Sequence, residues 1–181
     1  MAELILIRVQ STLDAWLKKQ SAHVRAWLAA AAFKAKPGAV SVIPAPSGRI
    51  DCVLACMDEQ PNIWSIAHLP GQLPAGFYSI NNKLTAKQAT DLALGWALAT
   101  YTFTRYRAPK KKKPTLAWPT GADRDDVTRL YEGIALGRDL VNTPAEDMGP
   151  GELAQAGIDL GKRHGAKTKV IEGNALLEKN Y

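Results

Sequence analysis

Residues 85–104 read as one helix that is apolar on two sides, and no other stretch constrains the fold as much. Thr85 and Gln88 have the spacing of a capping box, in which each side chain satisfies an orphan backbone donor of the first turn. Ala89, Leu92, Ala93, Trp96 and Phe103 form one apolar stripe, and Leu94, Leu98 and Tyr101 form a second. A helix with one apolar face lies on a surface, whereas one with two is sandwiched inside a domain.

The segments before it alternate between strand and helix patterns. Leu4 to Val9 is β-rich, and helical stretches follow over Thr12 to Lys19 and Ser21 to Lys36. In the second of these, Val24, Trp27, Leu28 and Ala31 fall at helical spacing, and Pro37-Gly38 stops the run. Ala39 to Ile43 and Ile50 to Cys56 are apolar runs around the turn-forming Pro44-Ala45-Pro46-Ser47-Gly48, so they read as neighbouring strands. Asn62 to Ala67 reads as another strand. Pro70, Gly71, Pro74 and Gly76 then break the chain before a strand over Phe77 to Ile80. A basic loop, Lys110 to Lys113, leads to a strand over Thr115 to Trp118. From Asp125 a helix carries Val127, Leu130, Tyr131, Ile134 and Val141 on one face until Thr143-Pro144. Pro150 suits the first position of the next helix, which Gly165 ends, with Leu153, Ala156 and Leu160 as its stripe. Thr168 to Glu172 reads as a parallel-type strand, and Asn174 to Lys179 as the start of a further helix. This alternation argues for α/β architecture. Helix, strand and half-helix do not close a unit, so the chain is expected to stop in mid-domain.

The charge divides in the same place. Residues 1–123 hold 15 Lys and Arg against 7 Asp and Glu, while residues 124–181 hold 8 against 10. The basic first part suits an anionic partner. The change of sign places a boundary near residue 123. No apolar run is long enough to span a membrane, and the N-terminus lacks the basic region and cleavage site of a signal peptide. Cys52 and Cys56 lie four apart on a strand, about 13 Å from each other. A disulfide needs Cα atoms within roughly 7 Å. They are expected to be core thiols in a reducing compartment, which makes the cytoplasm the default.

The sequence carries no recognisable catalytic motif. His23, His68 and His164 lie in different elements, and no G-x-S-x-G accompanies them. His23 and His164 read as helix-surface residues and His68 as an ordinary residue before a Pro-Gly turn. No H-E-x-x-H, paired C-x-x-C or EF-hand loop is present. Asp125 and Asp126 open a helix, where its dipole favours anions, and Glu146 and Asp147 invite the same reading. No phosphate-binding glycine motif occurs, and Gly133 and Gly137 read as sites of close helix packing. The candidate binding residues are Lys110, Lys111, Lys112 and Lys113. Tyr101, Phe103, Arg105, Tyr106, Arg107 and Trp118 flank them. Lysines supply counterion release and aromatic rings stack bases, so anion or nucleic-acid contact stands beside the reading of a solvated loop.

The run Gly137-Arg138-Asp139-Leu140-Val141-Asn142-Thr143-Pro144-Ala145-Glu146-Asp147-Met148-Gly149-Pro150-Gly151-Glu152-Leu153-Ala154 resembles the leucyl aminopeptidase (cytosol aminopeptidase) family. There an R-D-L-x-N-x-P pattern joins an interdomain helix to the catalytic domain. His164 to Tyr181 is similar to the family's next strand and helix, and the stretches 73–78 and 95–103 look like one bacterial branch. Glu146 stands where the family more often has Asn. The resemblance implies a macro-like N-terminal α/β sandwich with a mixed sheet over 1–123 and an interdomain helix over 124–143. The truncated start of the C-terminal metallopeptidase domain would follow over 144–181. It also implies a hydrolase that removes N-terminal residues, often leucine, from peptides. Its two divalent metals, zinc or manganese, would be bound in the missing C-terminal domain and none by this chain. The family's N-T-D-A-E-G-R run of metal ligands is absent, so no catalytic or metal residue transfers. The resemblance further implies a homohexamer and, in some bacterial members, DNA contact. Macro-type nucleotide binding would need glycine-rich loops at strand ends, which the sequence lacks. The competing expectation is a free-standing module, without catalysis, for DNA binding or assembly.

Overall fold

A computed structural model describes residues 1–8, 10–109 and 111–181. Val9, at the expected end of the first strand, and Lys110, first of the basic run, lie outside the described residues. The chain falls into two compact units, Met1–Ala135 and Leu136–Tyr181.

The first unit runs β1 (Ala2–Ile7), α1 (Gln10–Leu17), α2 (Ala22–Ala30), β2 (Val40–Pro44), β3 (Ile50–Cys56), α3 (Leu69–Gln72), β4 (Phe77–Ile80), α4 (Ala86–Thr100) and β5 (Thr115–Leu116). The helix α5 (Arg124–Asn142) starts in this unit. Its last turns belong to the second unit, with α6 (Pro150–Arg163) and α7 (Asn174–Glu178).

The five strands form one mixed sheet in the order β2-β3-β1-β4-β5. β1 is central and parallel to both β3 and β4, while β2 returns antiparallel to β3 through the Pro44–Arg49 turn. Successive strand residues point to opposite faces. Leu4, Leu6, Val53 and Ala55 therefore join one core cluster with Leu92 and Trp96 of α4. Ile7, Leu54 and Cys56 join another with Leu13 of α1 and Val24 and Leu28 of α2. A strand apolar on both faces is what a parallel, doubly covered sheet requires. Asn82 extends the sheet beyond β4: its Oδ1 accepts from the Leu6 N–H at 2.7 Å and its Nδ2 donates to the Leu6 carbonyl at 2.8 Å.

The two-sided helix is sandwiched as its pattern demands. Leu92 and Trp96 face the sheet, while Ala93, Leu94 and Leu98 pack with Val127 of α5. Ala93 thus belongs to the second face, not the first. The capping box is formed, with Gln88 N–H donating to Thr85 Oγ1 at 3.2 Å and Thr85 N–H to Gln88 Oε1 at 3.1 Å. The helix stops at Thr100, four residues short of the expected end, because Tyr101 turns to φ −52°, ψ 140°. Phe103 and Tyr101 consequently lie beyond it.

Other boundaries also move. The α2 helix ends at Ala30 instead of Lys36: Ala32 adopts φ +46° and Phe33 N–H reaches back to the Leu28 carbonyl at 3.0 Å. Asn62 to Ala67 forms turns instead of a strand. Ser65 Oγ accepts from Asn62 N–H at 2.9 Å and Asn62 Oδ1 from Trp64 N–H at 2.8 Å, and these local bonds replace ladder bonds. β5 is confined to Thr115–Leu116, shorter than the stretch to Trp118.

In the second unit, Gly149 N–H donates to Glu152 Oε2 at 3.0 Å and Pro150 occupies the first turn of α6. Thr168 to Glu172 is not a strand. Extended backbone needs a ladder partner, and no strand is among the described residues of this unit. Gly161 takes the close contact there, since a Cβ on it would meet the Thr168 side chain. Gly133 and Gly137 have open space where a Cβ would stand, so neither is a close-packing site.

Candidate functional site: a basic groove beside an aromatic cleft

The basic loop is held by one of its own lysines. Lys113 Nζ donates to the carbonyls of Thr100 and Tyr101, at 2.9 and 3.0 Å. These groups end α4, where helix carbonyls lack partners and the dipole favours a cation. Lys113 is therefore a helix cap. Lys111 and Lys112 are exposed and make no hydrogen bond or ion pair with another described residue.

The three described lysines line a groove of about 870 Å³ together with Pro70 to Ala75, the end of α3 and the following loop. Thr102, Pro109 and Pro114 complete the lining. Sequence reasoning singled out the lysines but not Pro70 to Ala75, which lie some forty residues earlier in the chain. The flanking aromatics are used in two ways. Phe103 and Tyr106 pack edge to face at 5.7 Å, with the Arg105 guanidinium 5.8 Å from the Tyr106 ring. Trp118 instead lines a second hollow of about 300 Å³ with Trp96, Val127, Pro114 and Lys113, and Arg124 lies over its ring at 5.5 Å.

Trp96 is 4% exposed, and its Nε1 has no hydrogen-bond partner among the described residues. His68 Nε2 is also buried and has no hydrogen-bond partner among the described residues. His68 is thus less ordinary than its sequence position suggests, and burial lowers its pKa from the usual 6.5. His23 Nε2 hydrogen-bonds the Pro44 carbonyl at 2.7 Å. His164 ends α6, donating its backbone N–H to the Leu160 and Gly161 carbonyls. Asp125 and Asp126 stand in the first turn of α5, where Asp126 pairs with Arg129. Glu146 and Asp147 lie in the turn before α6. Among the described residues no group of three His, Cys, Asp or Glu could hold a metal ion. Among the described residues no helix is long and apolar enough to cross a membrane.

Residues 4–119 match the N-terminal domain of M17 aminopeptidases. The chain belongs to the M17 aminopeptidase family. The match covers β1 from Leu4 onward, the other four strands and α4, so the family's domain includes the groove and most of the cleft. The chain is 37% identical over 107 residues to a probable cytosol aminopeptidase of Methylobacterium radiotolerans, covering 52% of this chain and 21% of that protein. It is 33% identical over 96 residues to a peptidase B of Cronobacter sakazakii, covering 50% and 21%. The chain thus spans about a fifth of these curated relatives. A crystal structure of the cytosol aminopeptidase from Coxiella burnetii matches with a TM-score of 0.88 and 32% identity, over 97% of this chain and 38% of that one. The bottromycin maturation enzyme BotP in complex with Mn shares the fold, with a TM-score of 0.70 at 20% identity.

Proposed function

We propose that this chain is the N-terminal, non-catalytic portion of a leucyl-aminopeptidase-type metalloexopeptidase that removes N-terminal residues from peptides. The observation that carries this reading is the M17 match over residues 4–119, in a chain that spans only a fifth of its curated relatives. The proposed organisation is a domain over 1–123, an interdomain helix over 124–143 and the beginning of the metallopeptidase domain over 144–181. Two divalent metals, manganese or zinc, are assigned to the remainder of the protein. The residues described offer them no ligand cluster, and no reaction step is drawn through them. A homohexamer and a cytoplasmic location complete the reading; relatives named cytosol aminopeptidase support the latter.

Intact-mass measurement on the protein made from its native gene tests this. A mass of about 50 kDa, as a complete second domain requires, together with manganese-stimulated cleavage of leucyl substrates, supports the reading. A mass of 19.6 kDa would overturn it in favour of a free-standing module.

A second reading has its own observation. Lys111 and Lys112 are exposed and without a described partner on a groove, within a part of the chain that carries a surplus of eight positive charges. Lys110, Lys111, Lys112 and Lys113 then form a contact for anions, nucleic acid foremost. Binding should weaken with salt and fall when the four are replaced by alanine. Unchanged affinity in that variant would remove this reading.

A further inference from the structure

The sheet has an open edge at β5. Thr115 N–H donates to the Gly76 carbonyl at 2.8 Å and Ala117 N–H to the Tyr78 carbonyl at 2.7 Å, so both face β4. Alternate residues of a strand turn their backbone groups to opposite sides. The N–H and carbonyl of Leu116 therefore point away from β4, and β5 is the last strand of the sheet. No other described residue bonds them. Pro114, which has no N–H, and Pro119 bracket this edge. Edge prolines prevent pairing with a long strand. What remains suits a short extended peptide and not the sheet of a second copy.

Beside the edge lies the hollow of about 300 Å³ between α4, β5 and Val127 of α5. Ala93, Ala97, Leu116 and Val127 make its lining mainly apolar. Trp96, 4% exposed, and Trp118, with Arg124 over its ring, serve only as walls. Lys113 and Thr100 line the same hollow. The Lys113 ammonium has three donors and uses two of them on the Thr100 and Tyr101 carbonyls. The third is left for an anion, and no acidic residue is among the lining residues.

An unpaired edge supplies main-chain hydrogen bonds to a peptide, and an adjoining pocket selects its side chain. We propose that β5 takes up the C-terminal end of an extended peptide as an added antiparallel strand. Its main chain pairs with Leu116, one apolar side chain fills the hollow and the terminal carboxylate meets Lys113. The antiparallel direction follows because Lys113 precedes Leu116, so only that direction brings the end of the peptide back to the lysine. An amino terminus would set one cation against another, so the end captured is the carboxyl end. Exposed Lys111 and Lys112 add positive potential that draws it in. The inference goes beyond the peptidase reading, since it places a peptide on this domain and not at a catalytic centre.

The test is fluorescence anisotropy of the full chain with a hexapeptide ending in leucine, its amino end blocked by the label. The C-terminal amide of that peptide should bind roughly ten-fold more weakly, through loss of a charge-assisted hydrogen bond. A terminal alanine in place of leucine, or N-methylation of the amide that pairs with Leu116, should each weaken it by about the same factor. Ala97→Phe, which fills the hollow, should weaken acid and amide alike. Lys113→Met should abolish the difference between acid and amide, and Lys113→Arg should keep it; a merely structural lysine would leave that ratio unchanged. The peptide-side changes need no variant, so they decide the matter even where a substitution unfolds the chain. Equal binding of acid and amide, or binding indifferent to N-methylation and to Ala97→Phe, would overturn the proposal, as would no binding at all. Dimerisation on sedimentation that excess peptide does not reverse would give the edge to a second copy and overturn it as well. A native mass of 19.6 kDa would remove the peptidase reading and leave this one standing.

Discussion

The Cα of Gly95 lies against the carbonyl of Ile63, so closely that a methyl group on it would overlap the carbonyl oxygen and carbon. The contact joins the middle of α4 to the turn that precedes α3. Both partners are backbone there, so no side-chain rotation relieves the overlap. Gly95→Ala is expected to destabilise the domain by about 3 kcal/mol, with a loss in Tm on the order of 10 °C. Gly133→Ala is the control: its added Cβ meets nothing, and the helix interior should gain up to about 1 kcal/mol. Thermal melts of both variants check the pair, and a neutral Gly95→Ala would refute the close approach.

Asn82 holds the Leu6 peptide through both its N–H and its carbonyl. Asn82→Ala should cost about 2 kcal/mol, since it leaves two backbone groups of a central strand to find other partners. Asn82→Asp should cost at least as much, because a carboxylate cannot donate to the Leu6 carbonyl. Urea unfolding midpoints at constant slope measure this.

Burial lowers the His68 pKa, and its Nε2 has no described partner to stabilise the charged form. The folded state therefore holds the ring neutral below the pH at which the unfolded chain protonates. Stability from this group is present above pH 6.5 and is lost as pH falls below that value. His68→Gln should flatten the acid limb of the urea midpoint against pH. An unchanged limb would assign the acid sensitivity to other groups.

Cys52 gives the opposite limb. Burial, reinforced by the Asp51 and Glu3 charges, pushes its thiol from 9.0 up to about 11. The unfolded chain ionises first as pH rises, so stability should decline between pH 9.0 and about 11. Cys52→Ala should remove that decline. In the folded parent, iodoacetamide should modify Cys52 far more slowly than a free thiol, because the thiolate is the nucleophile.

Periodicity and punctuation were enough for much of this architecture. The Thr85–Gln88 box and the double stripe behind it located α4 and demanded a layer on either side of it, and the sheet and α5 supply those layers. Leu4 to Val9 and Ile50 to Cys56 read as strands because they are apolar runs, and β1 and β3 stand there, with Val9 outside the described residues. The lysine run was equally plain, being contiguous. These features share a cause: hydrophobic spacing, caps and charge runs act over a few residues and are written in consecutive letters.

What the sequence could not determine was every relation between distant letters. Thr168 to Glu172 has strand composition, yet the second unit gives it no ladder partner and it stays coil. Asn62 to Ala67 loses its strand character to hydrogen bonds from its own side chains. Gly95 needs its missing Cβ because of Ile63, and the groove of Lys111 to Lys113 is lined also by residues 70–75. Trp96 and Trp118 become two sides of one cleft only after β5 docks beside β4. The sequence alone determined which segments must be helical, extended or charged. The tertiary structure decided which of them meet, because backbone pairing and enclosed space depend on neighbours far away along the chain.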